Sequence, residues 1–292
     1  MTTTTVRSRT NLRGPFMAFP ASLIVLGIIV IPILFLFRYS FNHYDVTDLM
    51  VSAFTLENYA RFFSDAYYSK VLWTTLWIAA LCTFLALLLG LPVAYFLAKT
   101  QSRFKSLFVI LLVFPLMVGN VVRAAGWMIV FGNAGLVNAV LKDFGVIDAP
   151  LQLLFTPFAV IVGTTAVVMP YMILTLQSVL EGIDFSVEEA AQVLGANFLT
   201  SFRRVVLPIA APGIAAGTML VFILCMNAYA TPVLLGGSGV TMMAPALYDQ
   251  ITKASNWPFG AALALVLVIG TLAMALLSNW VIHRRYAKTM ES

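Results

Sequence analysis

The chain has 292 residues, of which 61% are hydrophobic and only 10% charged, and its mean hydropathy is +0.95. A soluble globular domain carries about 25% charged residues, so the composition excludes one and defines an integral membrane protein. The net charge of +5 comes with no basic face interleaved with aromatics, so no nucleic-acid partner is implied.

Residues 1–15 are polar, hold Arg7, Arg9 and Arg13, and read as a disordered cytoplasmic tail. The apolar run Phe16–Phe37 is too long for a signal-peptide core. Arg38-Tyr39-Ser40-Phe41 offers no small-x-small cleavage site, so the run is expected to be a retained first span. Residues 38–70 mix aromatics with acids, as an interfacial external loop does. His43 lies there without a paired ligand and reads as a surface histidine. A second span is expected over Val71–Ala98, with Pro92 near its end, followed by a short basic loop with Lys99, Arg103 and Lys105. The third is expected as one helix over Leu107–Phe131, carrying Pro115, Arg123 and Trp127. Residues 132–151 hold turn signals and a short amphipathic piece. A fourth span over Leu153–Leu180, a polar loop over 181–208 and a fifth span over Ile209–Leu235 follow. Met242–Trp257 reads as a second external segment with a short helix turned toward the pore. The sixth span is Phe259–Ile282, before His283, Arg284, Arg285 and Lys288.

Each run has about the 20 residues needed to cross a hydrocarbon core. The expected fold class is therefore an all-α integral membrane protein of six transmembrane helices. Its map is a tail over 1–15, a six-span domain over 16–285 and a tail over 286–292. Eleven of the seventeen Lys and Arg lie in the N-terminal tail, in the 99–105 and 181–208 loops and beyond the sixth span; five lie in the other three loops, and Arg123 is the last. Positive charge stays inside, which places both termini in the cytoplasm. Cys82 and Cys225 sit in apolar runs and read as packing residues. No phosphate-cradling G-x-x-x-x-G-K-[ST] run, no metal-ligand cluster and no nucleophile–base set occurs. No catalytic residue, metal or cofactor is expected in this chain, and any ATP must be handled elsewhere.

The polar stretch 181–213 still reads as helical. Ser186 is expected to cap a short helix with Glu188 and Glu189 in its first turn. Gly195 is expected to end it. A second short amphipathic helix through Phe198 and Phe202 should follow, with Pro208 opening the next span. The elements Glu189-Ala190-Ala191, then Gly195 after three residues, then Val205-x-Leu207-Pro208 after nine more, resemble the EAA loop of binding-protein-dependent ABC importer permeases. The resemblance implies a type I ABC importer permease fold in which this loop is a cytoplasmic coupling helix. It would dock on the ATPase subunit and transmit its closure. Small residues let backbones approach, and a carboxylate supplies a charge-assisted hydrogen bond. The residues so assigned are Glu188, Glu189, Ala190, Ala191, Gly195, Ala196 and Phe198.

Further stretches carry the resemblance over most of residues 50–285. They are Arg123-Ala124-Ala125-Gly126-Trp127 with Gly135-Leu136-Val137-Asn138, Ala230-Thr231-Pro232-Val233-Leu234-Leu235-Gly236-Gly237, and Trp257-Pro258-Phe259-Gly260-Ala261-Ala262. Together they are similar to the spermidine/putrescine-type permease group, in its first-permease branch. Members of that group handle polyamines, 4-aminobutyrate, opine-type compounds or aminophosphonates. The resemblance implies two ATPase subunits that hold ATP and Mg, a second homologous permease, a periplasmic substrate-binding protein, surrounding lipid and a bacterial inner-membrane location. The expected function is the permease subunit of an ATP-driven importer of such a solute. The alternative is an ATP-independent secondary transporter, against which the absence of Asp and Glu from all six apolar runs argues. The candidate pore and substrate path is Arg123, Trp127, Tyr171, Asn227, Tyr229, Thr231, Tyr248 and Asp249. Aromatic faces there offer cation–π contacts. Arg123 has two readings, a pore-lining charge or a helix-pairing residue. Asn227 and Thr231 are expected to share one helix face, for pore lining or for interhelical hydrogen bonds.

Overall fold

A computed structural model describes the backbone of residues 13–290, and the side chains of residues 23–277. Most of the expected N-terminal tail, and the last two residues of the C-terminal one, lie outside the described residues. Among the described residues the regular structure is helical, and the one β pairing is an isolated bridge, His43 to Val51. The helices are α1 (Arg13–Tyr39), α2 (Glu57–Ser64), α3 (Ala66–Lys99), α4 (Lys105–Met117), α5 (Asn120–Phe131), α6 (Leu136–Asp143), α7 (Pro157–Glu181), α8 (Ser186–Val193), α9 (Phe198–Ser201), α10 (Leu207–Met226), α11 (Met243–Thr252) and α12 (Trp257–Met290). Two π-helical turns occupy Phe202–Val206 and Pro232–Gly236.

Five stretches are long and apolar enough to cross a membrane: Ala66–Lys99, Asn120–Asp143, Pro157–Glu181, Phe198–Met226 and Trp257–Leu277. The expected first span, Phe16–Phe37, falls within the 27-residue α1, whose described side chains from Leu23 onward are mostly apolar. α1 packs against α12 and turns residues such as Ile24 and Ile28 outward. α7 is the central helix: 61% of its apolar window is buried, against 22–44% for the other four. Its inward face, with Val168, Met172 and Leu176, meets α3 at Ile78, Cys82 and Ala86 and meets α10 at Val221 and Cys225, in one continuous core. Small residues allow the close approach. A Cβ built on Gly90 of α3 would lie 3.2 Å from Ile173 Cγ1, and one on Gly217 of α10 would lie 3.1 Å from Thr175 Cγ2.

The third expected span is not one helix. α4 ends at Met117, and Val118 and Gly119 are extended, with ψ of 129° and 146°, before α5 starts. Gly119 disfavours helix. Pro115 has no amide to bond back along α4. The fifth expected span is broken as well. α10 stops at Met226, Ala228 and Tyr229 are non-helical, and a helical turn resumes at Ala230. The break lies before Pro232, which has no N–H to donate to the carbonyl four residues back at Ala228 and whose ring would strike it in a continuous helix. Asn227 and Thr231 therefore do not share a face of one helix. At the other end, α9, the first π turn and α10 run on as one rod, so the expected separate amphipathic helix is the start of the fifth stretch. Pro208 lacks an N–H, and the Leu207 N–H reaches back five residues to Phe202 O. The expected tail residues 13–15 and 286–290 are helical, as parts of α1 and α12.

The segments between the long helices are held by specific contacts. His43 is a partly exposed surface residue paired with Glu57 at 2.8 Å. The first amide of α11, at Met243, donates to Thr75 Oγ1 of α3 at 2.8 Å, which satisfies one of the amides a helix start leaves open.

Candidate functional site

Two regions carry the predicted site residues: the loop around α8, and the break at the end of α10. At α8 the first free amide, Ser186 N–H, is met by Asp184 Oδ1 at 3.0 Å, so Asp184 and not Ser186 serves the cap. This local bond holds the Asp184 carboxyl below its usual range. The helix ends where Gly195 was expected to end it. Gly195 has φ +95°, its N–H donates to Gln192 O at 2.9 Å, and Ala196 N–H donates to Ala191 O at 3.0 Å. These are the paired bonds of a Schellman stop, for which glycine is preferred.

The exposed face of α8 is apolar and small, with a charge at one end. Glu189 and Ala190 are exposed, Ala191 is half-buried, and Val193 and Leu194 are 87% and 89% exposed. Gly195 and Phe198 are exposed and Ala196 is half-buried. Aliphatic side chains this bare, beside small residues, form a surface fit for another protein. Glu188 points the other way. It is buried against α3, where Tyr95 Oη donates to both its oxygens at 2.8 Å and Lys99 Nζ pairs with it at 2.9 Å. Sequence reading missed Tyr95 and Lys99; their spacing of four residues puts them on one face of the last turns of α3.

At the α10 break, Tyr171, Asn227, Tyr229 and Thr231 line one cavity of about 300 Å³, together with Asn120 and Thr164. Asn227 Nδ2 donates to Ile223 O at 2.9 Å, across the end of α10. Thr164 Oγ1 is buried with no hydrogen-bond partner among the described residues. Sequence reading did not single out Asn120 or Thr164, because nothing short of the chain path brings α5 and α7 to this place. Tyr248 extends the lining outward: its ring centroid is 4.9 Å from that of Tyr229. Asp249 is not in the cavity and pairs with Lys253 at 2.9 Å, one turn along α11.

Arg123 and Trp127 are not among the lining residues of that cavity. Arg123 Nη2 donates to Asn120 Oδ1, while its Nε and Nη1 are buried without a partner. Trp127 stacks on Phe131 with centroids 5.0 Å apart, and lines a separate apolar groove of about 460 Å³ with Leu89, Leu112 and Met169. In the neighbouring stretch Asn138 has a structural task. Its Nδ2 donates to Gly132 O and Leu151 O at 3.1 and 3.0 Å, and its Oδ1 accepts from Leu151 N–H at 2.8 Å. Among the described residues no cluster of three or more His, Cys, Asp or Glu could hold a metal ion.

A bundle of long apolar helices with a small polar cavity and an exposed apolar face on one loop fits a multi-pass membrane protein. The chain belongs to the family of binding-protein-dependent transport system inner membrane components, whose pattern matches residues 86–285. It is thus a permease subunit of the inner membrane and not an enzyme. It is 35% identical over 263 residues to the spermidine/putrescine transport system permease protein PotB of Escherichia coli K12, covering 90% of this chain and 95% of that protein. It is 35% identical over 249 residues to the PotB of Haemophilus influenzae, covering 85% and 86%. The fold is similar to that of a chain in the crystal structure of a bacterial ABC transporter that imports the acidic polysaccharide alginate. The TM-score is 0.75, the identity 16%, and the match covers 92% of this chain and 94% of that one.

Proposed function

We propose that this chain is the permease subunit of an ATP-driven, binding-protein-dependent importer of small amine-bearing solutes, with spermidine and putrescine first among them and 4-aminobutyrate, opines and aminophosphonates as related candidates. The observation that carries the solute class is the 35% identity to PotB over 90% of the chain. The cavity at the α10 break suits it. Tyr171, Tyr229 and Tyr248 offer aromatic faces for cation–π contacts, and Asn227, Thr231 and Thr164 offer neutral oxygens.

In this reading residues 16–285 form six spans, α1 being the first, with both termini cytoplasmic. Arg123 stands beside the path and holds Asn120 in place. The bare face of α8, with Gly195, Ala196 and Phe198, is the coupling surface for one of two ATPase subunits, which hold ATP and Mg. A second, homologous permease completes the pore, and a periplasmic binding protein delivers the solute. The positive-inside charge pattern supports this topology. The exposed Val193 and Leu194 support the docking surface.

The test is uptake of labelled putrescine into proteoliposomes holding the whole assembly. Uptake is expected only with both internal ATP and the external binding protein, and excess 4-aminobutyrate reports the rank of the alternatives. Uptake driven by an ion gradient without ATP would overturn the reading in favour of a secondary transporter.

A further inference from the structure

Tyr95, near the cytoplasmic end of α3, sits in a socket of three phenylalanine rings. Its ring meets Phe185, Phe198 and Phe202 edge-on, with centroids 5.9, 5.8 and 5.2 Å away and interplanar angles of 85°, 68° and 86°. Phe185 precedes α8, Phe198 opens α9 and Phe202 opens the first π turn. One ring of α3 is thus gripped from both ends of the α8 loop. Above it, Glu188 has a side chain that is 0% exposed and no unmet acceptor. The Tyr95 hydroxyl is 2.8 Å from both its oxygens, Lys99 Nζ is 2.9 Å from Oε2, and Gln192 Nε2 is 3.4 Å from Oε1. Lys99 also donates to Tyr95 Oη at 3.1 Å and lies over the Tyr95 and Phe185 rings, 5.5 and 5.4 Å from their centroids.

A docking surface does not need any of this. A carboxylate taken out of water is costly unless charge and hydrogen bonds compensate it. Once compensated, such a network fixes one arrangement. Along the backbone α8 is tied only to α7, through residues 182–185, and to α9, through the Gly195 turn. The side-chain joint adds a third tie, to α3. α3 and α7 share the largest helix pair of the core.

We propose that Glu188, Tyr95 and Lys99 form a mechanical joint that fastens the α8 loop to α3, so that a displacement of α8 moves α3 together with α7 and α10. Glu188 is therefore a positioning residue that acts through α3, and not a contact with the ATPase. The inference rests on the coupling role of α8 proposed above.

The test uses the complete assembly in proteoliposomes. It reads ATPase capture, binding-protein-stimulated ATP hydrolysis and solute taken up per ATP, for Glu188→Gln, Lys99→Met, Tyr95→Phe and the exchange Glu188→Lys with Lys99→Glu. The expected result is wild-type capture and continued stimulated hydrolysis. Solute per ATP should fall clearly below wild type in Glu188→Gln and Lys99→Met, and recover in part in the exchange. Tyr95→Phe keeps the ring in its socket and removes only the hydroxyl, and it carries the same criteria if Glu188→Gln does not insert. Wild-type solute per ATP in all three single variants would overturn the joint. Capture that falls in step with uptake would overturn it too, by making Glu188 part of the docking surface. Failure of the underlying reading looks different: the surface variant Glu189→Lys would then keep full capture and uptake.

Discussion

Gly163 of α7 faces Leu235 of the second π turn so closely that a Cβ on the glycine would be driven into Leu235 Cδ1 and would lie 3.0 Å from Thr231 Cγ2. The same turn is fixed by Phe155 N–H, which donates to Leu235 O at 2.8 Å. Gly163 thus seats the turn that carries Thr231 beside the polar cavity. Gly163→Ala should destabilise the purified protein by about 1–3 kcal/mol, the usual cost of overpacking, and lower its melting temperature in detergent. Gly126→Ala is the control, because nothing lies within 4 Å of a Cβ there and Ala is the better helix former inside α5, so the melt should hold or rise slightly.

α7 and α10 meet at a second such pair. A Cβ on Gly213 would enter the Val179 side chain. Gly213→Ala should cost about 1–3 kcal/mol alone, and the double variant with Val179→Ala should recover most of the loss. The coupling of neighbouring sites in a double-mutant cycle reads this directly.

Gly195 has open space around it, so only its backbone matters. At φ +95°, Gly195→Val should disrupt the α8 stop more than Gly195→Asn, since asparagine tolerates the left-handed region better. The measurement is ATPase capture by the inserted variants, and the expected order is wild type, then Asn, then Val.

The Asp184 carboxylate accepts from Ser186 N–H and is held below the usual carboxylate range by that bond. A group with a depressed pKa lends its stability above its unfolded value and loses it only as pH falls through the folded one. ATPase capture should therefore show no Asp184-dependent change from about pH 5 to 8. Asp184→Asn keeps an acceptor oxygen and should behave as wild type. Asp184→Ala should fray the first turn of α8 and weaken capture.

In the cavity, Tyr229→Phe keeps an aromatic face and should leave putrescine uptake near wild type. Tyr229→Ala removes it and should raise the apparent KM about two- to thirtyfold, the range of one cation–π contact of 0.5–2 kcal/mol. Equal effects of the two variants would assign the loss to the hydroxyl instead.

Apolar runs and the spacing of Glu189, Ala190, Ala191, Gly195 and Pro208 made the helical membrane class and the α8 stop legible, because length, hydropathy and the glycine requirement are local. The breaks at Val118–Gly119 and Ala228–Tyr229 were not. Both lie inside continuous apolar runs, where hydropathy is blind to backbone conformation. The prolines at 115 and 232 do not say by themselves whether a helix kinks or breaks. The sequence assigned Glu188 and Glu189 alike to the coupling surface, yet Glu188 is buried against α3 and Glu189 is exposed, as the 100° turn between neighbours allows. Tyr95 and Lys99 were invisible as a pair because their partner lies some ninety residues away. Asn227, Tyr229, Thr231 and Tyr171 line one cavity, whereas Arg123, Trp127 and Asp249 each have their own local partner.

The most direct measurement is capture of the proposed ATPase partner, together with ATP-dependent uptake, by wild type and by Glu189→Lys and Ala190→Trp, two substitutions on the exposed face of α8. The account predicts that both variants insert normally, lose the ATPase and lose uptake together. Normal capture and uptake by both would contradict a coupling role for α8, and would move an ATP-independent transporter into first place.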